Sequence, residues 1–170
     1  MVIFETSVNS VSATQLQRFA RRAQTLARVK GEVDILISGN TRLRDLNRRY
    51  RHKSKPTDVL SFPRPSGGDI AISAEIARAN ARHYGHGLAD ELKILVLHGM
   101  LHLAGYDHES DDGRMARMEA RLRSQLKLPA SLIDRAHLRG KSSQIKPAAV
   151  TVKTTKILRN STRTSRRSAQ

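Results

Sequence analysis

The chain has 170 residues, room for one domain with a real hydrophobic core, and it contains no cysteine, which excludes a disulfide framework and any thiolate metal site. It carries 31 Lys and Arg against 15 Asp and Glu, a formal charge of +16, and a surplus of that size favours a polyanionic partner. No apolar run reaches membrane-spanning length and the first residues do not form a secretion signal, so a soluble cytoplasmic protein with no membrane contact is expected.

Along the chain, Val2 to Glu5 reads as a short strand. Ser12-Ala-Thr-Gln15 has the form of a capping box, and Leu16, Phe19, Ala23 and Leu26 continue at helical spacing to about Arg28. Glu32 to Ser38 reads as a strand. After the break at Gly39-Asn40, a short helix is expected over Thr41 to Tyr50, followed by a polar loop to Thr57. Asp58 to Phe62 reads as a strand ended by Pro63 and Pro65, and Ser66 to Gly68 as a turn into a second strand, Asp69 to Ser73. A helix from Ser73 or Ala74 to Tyr84 precedes a long one, Leu88 to Ala104, that is apolar nearly all round and therefore belongs in the core. A charged amphipathic helix is expected over Asp111 to Leu126. This order predicts an α+β single domain of α/β type, with a mixed, about four-stranded sheet and a zincin-like, metal-bearing helix in its core. The domain spans 1–138. Beyond it, 139–170 holds nine Lys and Arg and no acid and reads as a basic, disordered tail; without those nine charges the first 138 residues are still at +7.

The chemistry is concentrated in His98-Gly-Met-Leu-His102-Leu-Ala-Gly105-Tyr-Asp-His108. Histidines four apart on a helix share a face, about 6 Å apart along the axis. Gly105 allows the chain to turn at the helix end and return a third imidazole to the same point. Three imidazoles on one point suit one zinc ion per chain with an open position for water, although Ni, Co or Cu would also be accepted. Asp107, with Asp111 near it, is a candidate to orient an imidazole or to take a proton; a turn-capping role fits Asp107 equally well. The residue after the first histidine is Gly99, where zinc peptidases of the H-E-x-x-H type carry their general base, and this weighs against a protease. His83 and His86 straddle a helix end and read as surface residues rather than a second metal site. The cations Arg48, Arg49, Arg51, Lys53 and Lys55 could stabilise phosphoryl charge or bind RNA, or they could simply complement a helix C-terminus.

The motif resembles, position for position, the H-G-x-L-H-L-x-G-Y-D-H signature of the YbeY endoribonuclease family. Leu46-Asn47-x-x-Tyr50-Arg51, Lys55-Pro-Thr-Asp58-Val-Leu-Ser-Phe-Pro63 and Gly68-Asp69-Ile70 agree with the same family in order and spacing. The resemblance covers roughly residues 30 to 126, and the basic extension is not part of it. It implies a metal-dependent endoribonuclease specific for single strands, acting in ribosome biogenesis on the 3′ end of small-subunit (16S) rRNA and in ribosome quality control. It makes His98, His102 and His108 the zinc ligands and Arg51 the catalytic residue, stabilising the phosphoryl transition state. The implied partners are single-stranded rRNA and the ribosome or small-subunit precursor. With three Phe, three Tyr and no Trp, recognition should rest on phosphate contacts and shape. Two other classes fit parts of the sequence: another zinc hydrolase, such as a peptidase or amidohydrolase, and a non-catalytic RNA-binding assembly factor. The glycine at 99 and the charge argue against the first, and the shortage of a fourth protein ligand argues against a purely structural zinc in the second.

Overall fold

A computed structural model of the chain describes residues 1–9, 11–108 and 110–129; the expected basic tail lies outside the described residues. In chain order the elements are β1 (Val2–Phe4), α1 (Ala13–Ala27), β2 (Glu32–Ser38), α2 (Asn40–Arg51), β3 (Val59–Pro63), β4 (Gly67–Ser73), α3 (Ala74–Tyr84), α4 (Leu88–Leu103) and α5 (Arg114–Leu126). The strands form one mixed sheet in the order β1-β2-β4-β3. Its β1–β2 and β2–β4 pairs are parallel, and β3 closes one edge antiparallel to β4. The α+β class and the four-stranded sheet expected from the sequence are both present, and no helix of the described residues is long and apolar enough to cross a membrane.

Side chains alternate across a strand, so each strand serves two cores. Val33, Ile35 and Ile37 of β2, Val59 of β3, and Ile70 and Ile72 of β4 face a large cluster shared with α1, α3, α4 and α5. Leu36, Leu60, Phe62 and Ala71 point the other way, onto Leu43 and Leu46 of α2. Within α4, Leu92, Ile94, Leu95, Val96, Leu97, Met100 and Leu101 are all at most 1% exposed. Each such side chain contributes about 1.5–3 kcal/mol of transfer free energy, which is what holds the motif helix rigid.

Local chemistry explains the helix boundaries. The Ser12 hydroxyl accepts from the Gln15 amide at 3.3 Å, and Ser73 accepts from Ile76 at 3.1 Å, each satisfying a first-turn donor. The Glu75 carboxylate accepts from the Asn40 amide at the start of α2, where Gly39 has no side chain to do so.

The hairpin is tighter than the sequence suggests. Gly67 and Gly68 read as turn residues, yet they are the first residues of β4, paired with Glu32 and Val33 of β2, and Arg64 to Ser66 alone separate the strands. The physical reason is steric. Gly67 has φ +85°, and a Cβ there would lie 1.8 Å from the Glu32 carbonyl oxygen, so the glycines allow β4 to run against β2. Arg64 then folds back between the cross-strand pair Asp34 and Asp69, at 3.5 and 3.4 Å, and binds the carbonyl of Glu32 at 2.9 Å.

Candidate metal centre

His98 and His102 project from the C-terminal half of α4 and are each 1% exposed. The helix ends at Leu103; Gly105 at φ +89° reverses the chain, and the Tyr106 amide ties the loop back to the Leu101 carbonyl at 3.0 Å. Half-buried His108 follows in that loop. One ligating atom from each of the three imidazoles lies within 4.8 Å of the others. The Nε2 atoms of His98 and His102 are 3.2 Å apart, close to the roughly 3.4 Å that separates two nitrogens bound tetrahedrally to one zinc.

The electrostatics suit a cation held by neutral ligands. The His102 imidazole is pushed down to about 2 by burial first, and then by the like charges of His98 and His108, with Arg51 adding to the effect and the Tyr106 backbone opposing it. A ring held neutral keeps its lone pair available. His98 donates from Nδ1 to Oε2 of Glu119 at 3.1 Å, and Glu119 is fully buried. That bond fixes the tautomer in which Nε2 is the free donor atom toward the centre. The donor set, its spacing and the neutral His102 ring therefore fit a zinc ion.

Arg51 is the last residue of α2 and half-buried. His52 follows in the left-handed conformation, φ 57°, and ends the helix. The loop beyond it is held by Asn47, whose side-chain amide donates to the Lys55 carbonyl at 2.6 Å. The charge of Arg51 is also among the causes that lower the His102 imidazole. Arg48, Arg49, Lys53 and Lys55 are exposed around that end, and Arg48 lies 3.5 Å from Asp45. Asp58, which opens β3 after this loop, is buried; burial raises its carboxyl group, while the His98 charge and hydrogen bonds from the Val59 amide and Thr57 hydroxyl act against that.

Asp107 closes the turn after the motif, accepting from the Ser110 hydroxyl at 3.0 Å, and Asp111 accepts from the Met115 amide at 2.8 Å at the start of α5. The carboxylate on His98 is Glu119, a residue that no motif in the sequence singles out. A signal for it does exist: Glu119 falls in the same helical stripe as Met115 and Leu122, an acid on an otherwise apolar face. Glu91 is a second buried acid, accepting from His86 Nε2 at 2.7 Å. His86 is thus a structural partner of α4, while His83 is exposed.

Gly99 has a packing role of its own. A Cβ at this position would lie 2.9 Å from both Cδ1 and Cγ2 of Ile70, and the buried Ser61 hydroxyl donates to the Gly99 carbonyl at 3.4 Å. The side of α4 next to His98 is pressed onto the sheet, so a glutamate there would have no path to the centre.

The model of the family described as Endoribonuclease YbeY matches residues 3–128. An endoribonuclease YbeY from Koribacter versatilis is 51% identical over 138 residues, covering 79% of this chain and 91% of the relative. One from Solibacter usitatus is 48% identical over 136 residues, covering 79% and 92%. The solution structure of a Thermotoga maritima protein superposes with a TM-score of 0.54 at 27% identity, over 75% of this chain and 92% of the other. With its three histidines, their order and their supporting elements all within the matched span, the chain belongs to the Endoribonuclease YbeY family.

Proposed function

We propose that the chain is a zinc-dependent, single-strand-specific endoribonuclease of the cytoplasm that matures the 3′ end of small-subunit (16S) rRNA and serves ribosome quality control. The observation that carries this reading is the convergence of three imidazoles, one of them buried and held neutral, in a chain whose relatives are named endoribonucleases. His98, His102 and His108 would hold the metal. When bound, zinc supplies Lewis acidity and an activated water or hydroxyl nucleophile. The protein's own residues do the rest. Glu119 holds His98 in the ligating tautomer, and the packing of α4 keeps His98 and His102 at fixed separation. Arg51 binds and stabilises the anionic phosphoryl oxygens as charge develops on them, in a partly desolvated setting where such stabilisation is strongest. Exposed Arg48, Arg49, Lys53 and Lys55 bind phosphates flanking the cleaved bond. Asp107 supports the loop that carries His108. Single strands are preferred because their backbone can splay into a recessed centre, whereas an A-form duplex presents its backbone on a rigid cylinder.

The test is cleavage of a labelled single-stranded rRNA 3′ fragment by metal-analysed wild-type, Arg51→Ala and His102→Ala proteins purified side by side. Activity should follow zinc content, vanish with the metal in His102→Ala, and vanish with the metal retained in Arg51→Ala. Cleavage that survives in His102→Ala overturns metal catalysis. Tight RNA binding without cleavage by any of the three would make the chain an assembly factor.

A further inference from the structure

A second surface feature lies beside the histidine centre. Two clefts of about 370 and 320 Å³ share Tyr106, Met118 and Arg121 as walls. The larger is bounded by the C-terminal turn of α1, including Leu26 and Arg28, and by Leu122 of α5; the smaller adds Arg114 and Arg117. Together they make a groove along α5, on the stripe next to the buried Met115, Glu119 and Leu122 face.

Three properties define what fits it. First, Arg28, Arg114, Arg117 and Arg121 are all exposed, no carboxylate lines either cleft, and no ion pair joins these four arginines to an acid among the described residues. The row from Arg114 to Arg121 extends about 10 Å along the helix axis. Second, between the arginines lie Leu26, Met118, Leu122 and the Tyr106 side chain, an apolar floor suited to the face of an unstacked base. Third, Tyr106 is two residues from His108, at most about 7 Å of chain, so one wall of the groove belongs to the loop that carries His108. A duplex offers phosphates but hides its base faces, and a folded acidic protein has no reason to continue into the centre. A flexible polynucleotide meets all three conditions.

We infer that this α1–α5 groove is a separate binding site for single-stranded RNA, holding the part of the substrate strand that flanks the cleaved bond with phosphates on the α5 arginines and a base over Tyr106 and Met118. The inference rests on the endoribonuclease reading for its choice of ligand. It adds to the cations around Arg51 a second track on the other chain segment that builds the centre.

The test compares the full-length, zinc-loaded wild type with Arg117→Ala/Arg121→Ala and with a charge-matched control, Arg78→Ala/Arg82→Ala on α3. Each is titrated against a labelled single-stranded RNA across a salt series, with cleavage read from the same samples, and against poly-glutamate as an acidic peptide. The groove pair should bind RNA about tenfold more weakly and lose about 1.4 from its log–log salt slope, two phosphates at about 0.7 each, with zinc content and Tm unchanged. The control pair should stay within about twofold of wild type. Equal behaviour of the two double variants overturns the groove site, and cleavage by the wild type in that experiment leaves the nuclease reading standing. Weakened poly-glutamate binding with unchanged RNA binding overturns it in favour of a protein-docking face. Selective loss of RNA binding by the groove pair, in a wild type that never cleaves, supports the groove and sinks the nuclease reading instead.

Discussion

Glu119 shows how one buried carboxylate sets the state of a proposed metal ligand. It is fully buried against His98 Nδ1, so replacing it by alanine leaves that N–H without its acceptor and the imidazole free to change tautomer. Glu119→Ala is expected to weaken zinc binding by about 10–100-fold, and Glu119→Gln, which can still accept through its amide oxygen, to fall between; competition with a zinc chelator reads the affinity. Equal affinities in wild type and Glu119→Ala would show that the packing of α4 alone orients the ring. His102 gives a pH signature in the metal-free chain. Its ring ionises near 2 when folded, against 6.5 for an ordinary histidine. Between those values the unfolded chain binds a proton that the folded one does not, so stability falls as pH drops below 6.5 and is unaffected by this group above it. The slope from His102 is about 1.4 kcal/mol per pH unit. Urea unfolding of metal-free protein from neutral to acid pH should show a shallower loss in His102→Leu than in wild type, and identical slopes would refute the assignment. The three histidines are legible in the sequence because a helix and a glycine turn bring them together locally. Glu119 is not, since it reaches His98 only through tertiary packing, from α5.

Among the elements, α4 decides the geometry of the centre, and it lies tightly against β4 at Gly99. In an isolated helix, glycine to alanine stabilises by about 1 kcal/mol. Here the added methyl would lie 2.9 Å from two carbons of Ile70, and overpacking of this kind costs about 1–3 kcal/mol. Gly99→Ala is therefore expected to lower Tm despite the better propensity, and to reduce zinc affinity by shifting His98 relative to His108. Ile70→Ala removes the obstructing atoms, so the double variant should be more stable than the sum of the single changes by about 1 kcal/mol or more. Additive losses would mean that helix and strand relax apart at no cost. The helices and strands themselves can be read from periodicity and caps, down to Ser12 and Ser73. Glycine is the ambiguous residue, because it marks a turn and a close backbone approach alike: Gly67 and Gly68 look like the hairpin turn but instead allow β4 to lie on β2.

For the whole molecule the governing quantity is charge, and it is distributed in at least three places: the end of α2 around Arg51, the α5 groove, and the nine cations beyond residue 138. The first two lie on packed elements of the described residues, so they can select and place a strand in the proposed reaction. A segment rich in Ser, Thr, Lys and Arg without acids is expected to add phosphate binding that carries no sequence information. Deleting 139–170 is accordingly expected to raise Kd for single-stranded RNA and to flatten the salt slope, by about 0.7 for each phosphate no longer neutralised, while kcat at saturating RNA is retained. Arg51→Ala should instead lower kcat and kcat/KM together, because the proposed role of Arg51 is on the reacting phosphate. If the truncated chain loses kcat at saturation, the extension reaches the centre and the catalytic unit is larger than 1–138. If Kd and salt slope are both unchanged, the charge that matters for RNA lies wholly on the packed domain, where arginines on α2 and α5 flank the metal-binding loop.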